Sequence, residues 1–159
     1  MTKLDDRDDA PKPLHIQTIH LQLSGPFESD GGPAKPLPIA FETAERRLRD
    51  LERLYFEGDG SFVWAPQDTA APSVGGIDGP STQVFGMIYD AADAIRYIEI
   101  RGRCTAATLI RLVRTLIGDG EASMDDSSAG NLPQWGVLVL PDGQRQDLQT
   151  FVDRWDDGK

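Results

Sequence analysis

At 159 residues and 39% hydrophobic, the chain is long enough to bury one core and too apolar to remain unfolded as a whole. Its formal charge of −10 opposes long-range attraction to nucleic acid and anionic membranes, and residues 119–159 hold most of the excess, with nine acids against three bases. Its single cysteine, Cys104, excludes an internal disulfide.

Residues 1–13 read as a disordered acidic leader, because Asp5, Asp6, Asp8 and Asp9 repel one another and Pro11 and Pro13 block regular structure. This polar start has no apolar signal core, and no stretch approaches the length of a membrane span, so a cytoplasmic location is the expectation. Residues 14–155 read as one globular domain and 156–159 as a frayed tail. Leu14–Leu23 alternates as a strand whose parity slips, which predicts a bulge near Thr18–Ile19. Ser24–Pro38 is a long Pro/Gly loop. Phe41, Ala44, Leu48, Leu51 and Tyr55 recur at spacings of three and four, predicting a helix from about Ile39 to Tyr55. A glycine turn and a strand ending at Trp64 follow, then a second loop from Pro66 to Gln83.

The stretch Val84–Gly118 is the centre of the chain. Val84–Tyr89 is apolar at both parities and predicts an interior strand. Asp90–Asp93 turns the chain without an Asn-Gly signal, and Ile95–Arg101 returns as the partner of a hairpin. There Ile98 and Ile100 share one face, and Ile95, Tyr97, Glu99 and Arg101 share the other. Thr105 is a candidate N-cap, Leu109, Leu112, Val113 and Leu116 form a helical stripe, and Gly118 suits the left-handed C-cap. Asp119–Pro133 is a polar loop. Trp135–Leu140 predicts a buried strand, central or parallel, and Leu148, Phe151, Val152 and Trp155 a last amphipathic helix. The expected fold is α+β: a mixed, mostly antiparallel sheet of about five strands with three helices, in the order β-α-β-β-β-α-β-α.

Strict phosphate-loop, nucleophile-elbow and zinc motifs are absent. His15 and His20 lie five apart on a strand and point to opposite faces unless a bulge intervenes. Asp119, Glu121, Ser123, Asp125 and Ser127 imitate a calcium loop, but Met124 and Gly130 stand where its glycine and bidentate glutamate belong. Cys104 is read as a small packing residue, the alternative being a thiol activated by a helix N-terminus and neighbouring arginines. No metal and no cofactor are therefore expected.

From residue 39 to 140 the order helix, strand, strand, strand, helix, strand resembles the core of the restriction-endonuclease-like nucleases. In that family an acid on the middle strand and an E-x-K on the next hold a metal ion and a water. Glu99-Ile100-Arg101 stands at the E-x-K position, with arginine for lysine. The preceding strand offers Val84, Phe85 and Gly86 where the family acid sits, and Asp90 falls in the turn. The resemblance implies Asp90, Glu99 and Arg101 near a catalytic site. The simpler reading is an ion pair on the wet face of the sheet.

Arg96, Arg101, Arg103, Arg111 and Arg114 cluster in sequence around the strand–helix junction and could bind a phosphate or a carboxylate, with Arg101, Arg103, Arg111 and Arg114 as the candidate anion-binding set. Pairing with the acidic C-terminal third is the structural reading of the same residues. The first functional expectation is a non-enzymatic soluble domain acting through protein contacts or self-association, with no nucleic acid and no membrane as partner. Trp64 and Trp135 are read first as core and second as contact residues. A divergent or degenerate metal-dependent nuclease is the second expectation, and a small anion-binding domain the third.

Overall fold

The computed structural model describes residues 16–66, 82–118 and 132–156. Seven strands form one sheet: β1 (Gln17–Ser24), β2 (Leu54–Phe56), β3 (Ser61–Trp64), β4 (Gln83–Ala91), β5 (Ala94–Cys104), β6 (Gly136–Val139) and β7 (Gln144–Asp147). The helices are α1 (Phe41–Arg49), α2 (Ala106–Ile117) and α3 (Leu148–Asp156). The spatial order is β2-β3-β4-β5-β1-β6-β7, with every neighbouring pair antiparallel. The fold is therefore α+β as expected, but among the described residues it has seven strands, not about five, and every strand pairing is antiparallel.

Both added strands have a local cause. The helix expected through Tyr55 ends at Arg49, and Arg53 turns the chain with φ of 65°. Leu54 and Phe56 then alternate onto the core beside Trp64 and Phe62, leaving Tyr55 outside. The helical stripe had absorbed residues that a tight hairpin pairs at shorter range. Strand β7 is polar, QRQD, and forms because Pro141–Gly143 folds it back onto β6. Strand β6 consequently lies one place from the edge, antiparallel to β1 and β7.

One face of the sheet carries the core. Ile19, Leu21 and Leu23 of β1, Val84 and Ile88 of β4, Ile98 and Ile100 of β5 and Val137 of β6 are buried together with Leu48, Leu109, Leu112, Val113, Leu116, Leu148, Val152 and Trp155 of the helices. Thr105 caps α2, its hydroxyl accepting the Thr108 N–H at 3.2 Å, and Gly118 ends it with φ of 87°. Arg47 donates to the Leu116 carbonyl at 2.6 Å, tying α1 to an end of α2 whose carbonyls lack helical partners. Among the described residues no helix is long and apolar enough to cross a membrane.

The bulge lies in the central hairpin and not near Thr18–Ile19. Strand β1 keeps one register against β5 from Gln17 to Leu23. Tyr89 pairs with Tyr97 and Asp90 with Ile95, so Arg96 is the extra residue. This slip returns Ile95 to the core face with Ile98, where it is fully buried, and corrects its placement beside Tyr97 and Glu99. The hairpin turns on Ala92 and Asp93, both at positive φ (53° and 66°), two positions where glycine or asparagine is the usual residue.

Candidate functional site

All three helices pack on the core face, and side chains of opposite parity project from the other. There Tyr55, Val63, Phe85, Arg101 and His20 are successive cross-strand partners on β2, β3, β4, β5 and β1. They make one transverse row, with Tyr55 and Phe85 toward one end and Arg101 and His20 at the other. Tyr55, Phe85 and Tyr89 are 75%, 42% and 38% exposed, which marks them as apolar groups left outside the core. A second row runs Ser61, Met87, Glu99, Gln22, Leu138, Arg145. In a third, Tyr89 stacks on Tyr97 with ring centroids 4.7 Å apart. Desolvation, and then the neighbouring Tyr89 and Glu99, push the Tyr97 hydroxyl above its ordinary pKa.

Glu99 sits inside this face with its carboxylate turned to His20 and Arg101. His20 Nε2 lies 3.0 Å from Glu99 Oε1, and Arg101 Nε lies 3.7 Å from the same oxygen. Asp90 is at the far end of the hairpin opposite Ile95 and does not approach Glu99. Among the described residues no three histidine, cysteine, aspartate or glutamate side chains converge as metal ligands. The Asp90, Glu99 and Arg101 set is thus brought together only as the Glu99–Arg101 pair, with His20 added. His15 and the 119–127 calcium-like segment lie outside the described residues.

The arginines grouped by sequence are divided by the sheet. Arg101 and Arg103 project from the open face of β5 and are exposed. Arg111 lies on α2 at the opposite face, its guanidinium 5.7 Å from the centre of the Trp64 ring, and Arg114 is on the same helix. The four do not make one site. Cys104 is completely buried, and that burial pushes its thiol up to about 12, a packing residue with no thiolate at neutral pH. Trp64 and Trp135 are buried core residues and contribute nothing to the outer surface.

Two grooves border the open face. One, of about 390 Å³, runs between Arg96 and Tyr97 on one side and Leu138 and Arg145 on the other, under Phe27. A larger one, of about 510 Å³, shares Phe27 but lies against Pro133 and Gln149, and no cation lines it among the described residues.

Sequence reasoning missed this face. The signal was present in Phe85, Met87 and Tyr89, which share one parity of β4. Their apolarity made the strand read as buried on both sides. Comparison with known proteins finds no matching family model, no matching curated protein and no matching solved structure.

Proposed function

We propose that the chain is a non-enzymatic contact domain that self-associates through the open face of its sheet. The row Tyr55–Val63–Phe85–Arg101–His20 carries this reading. Its aromatic side chains and its Arg101 guanidinium are each other's complement. A two-fold axis between β4 and β5, parallel to the strands and in the plane of contact, reverses the row of the second copy. Phe85 of one copy then meets Arg101 of the other, and Val63 meets His20. In the third row Tyr89 meets Tyr97. Such an interface is isologous and closes as a dimer.

Each part of the contact has a physical term behind it. A guanidinium over an aromatic face contributes about 0.5–2 kcal/mol, more as water leaves. Exposed tyrosine and phenylalanine supply apolar area at low cost in side-chain entropy, which is why aromatics anchor interfaces. The charge of −10 on each copy opposes the approach, so salt strengthens the association.

The direct test is isotope-filtered NMR on a mixture of labelled and unlabelled chains. Intermolecular contacts between Phe85 ring protons and Arg101 methylenes are expected. Intermolecular contacts confined to the helices, or none, would overturn the reading.

A further inference from the structure

We propose that the groove between β5 and β7 is a binding site for a small organic acid, with its carboxylate on arginine and its apolar body against Tyr97, Leu138 and Phe27. This goes beyond self-association: the groove lies on the same open face, beside the Phe85 row, and shares only Tyr97 with the contact proposed above.

The groove is built from both ends of the chain. Gln22, Leu138 and Arg145 are consecutive cross-strand partners and form its floor. Arg96 and Tyr97 border it from β5, and Arg96 is there because the bulge inserts it as an extra residue. The loop after β1 forms the roof. Its two arms are clamped by Gly25 N–H donating to the Lys35 carbonyl at 2.8 Å and Lys35 N–H donating to the Pro26 carbonyl at 3.0 Å. At about 390 Å³ the space is in the range of small-molecule sites.

Arg145 is held in advance of any ligand. Its Nη1 donates to the carbonyls of Gly31 and Gly32 at 3.0 and 2.9 Å, and its guanidinium lies 5.2 Å from the centre of the Phe27 ring. Its Nε and Nη2 donate to no described residue, and neither does the Arg96 guanidinium. Fixed guanidinium donors beside an apolar wall suit the planar carboxylate of an otherwise apolar molecule. Glu99 next to Gln22 in the row, and Asp147 two residues after Arg145, set the charge limit. These acids favour a single negative charge over a phosphate dianion.

The test is a thermal-shift titration of the full chain at low ionic strength with 3-phenylpropionate, its neutral isostere 3-phenylpropan-1-ol, and inorganic phosphate. The acid is expected to raise Tm in a saturable way, with little effect from the alcohol or from phosphate. Arg96→Met, an exposed position, is expected to keep the wild-type Tm without ligand and to weaken acid binding about tenfold or more, as a charge-assisted hydrogen bond is removed. No response to the acid, equal responses to acid and alcohol, equal responses to acid and phosphate, or unchanged binding by Arg96→Met would each overturn the proposal. Because Phe85 is outside the groove, Phe85→Asp is expected to bind the acid as wild type does, which separates this site from the dimer contact.

Discussion

The ring of Phe62 occupies the space where Gly86 has no side chain: a Cβ built on the glycine would come within 2.0 Å of the ring. The two residues are cross-strand partners on the core face, and the ring also stacks on Phe56 with centroids 6.3 Å apart. Glycine in a strand usually weakens it, and here an aromatic neighbour fills the gap. Gly86→Ala is therefore expected to destabilise by about 1–3 kcal/mol through overpacking, measured by urea unfolding. In the Gly86→Ala background, Phe62→Leu should cost less than it does alone, since the smaller residue removes the clash.

The hairpin turn stores removable strain. Ala92 and Asp93 hold positive φ without glycine, at a cost of about 1 kcal/mol per residue. Replacing the pair by Asn-Gly is expected to stabilise by about 1 kcal/mol and raise the midpoint of unfolding with an unchanged m-value. A lower midpoint would contradict the turn geometry.

Asp147 precedes α3 and behaves as its N-cap. Its carboxylate accepts the Thr150 N–H and the Thr150 hydroxyl, each at 2.8 Å, and these bonds hold its pKa below the ordinary 3.8. Because the folded value is the lower one, the stabilisation is fully present above 3.8 and is lost as pH falls through the folded pKa. Asp147→Ala should cost about 1 kcal/mol at neutral pH. The gap between variant and wild type should narrow in acid, as followed by thermal melts from neutral pH downwards.

Glu99 distinguishes an ion pair from a metal ligand. Its contacts with His20 and Arg101 involve partners that are 41% and 64% exposed, so the pair is screened. Glu99→Ala is expected to cost no more than about 1 kcal/mol. Mg²⁺, Mn²⁺ and Ca²⁺ are expected to leave the wild-type Tm unchanged. A rise in Tm with any of them that Glu99→Ala abolishes would restore the nuclease reading.

Much of the fold was legible because local chemistry agreed with it. The Thr105 cap, the α2 stripe, the Gly118 C-cap and the α3 stripe are each encoded within a few residues, and each stands where the sequence placed it. Strands β2 and β7 were not legible, since three and four residues are too few for a period to register and their pairing depends on the turns before them. The face assignment of Ile95 failed for a different reason: a bulge at Arg96 shifts parity by one, and no residue type in that stretch announces it. The open face needed the register of five strands at once. Arg101 and Arg103 are two apart in sequence and project together, whereas Arg111, which is close to them in the chain, lies across the sheet. Arg96 and Arg145 are 49 residues apart and border one groove.

Sedimentation equilibrium of wild type and Phe85→Asp, at the highest soluble concentration and in moderate salt, decides whether the open face self-associates. Phe85 is exposed, so the variant should fold with an unchanged circular dichroism spectrum. Self-association through the open face predicts a dimer for wild type and a monomer for the variant. A monomeric wild type, or a dimer that persists in Phe85→Asp, would contradict it.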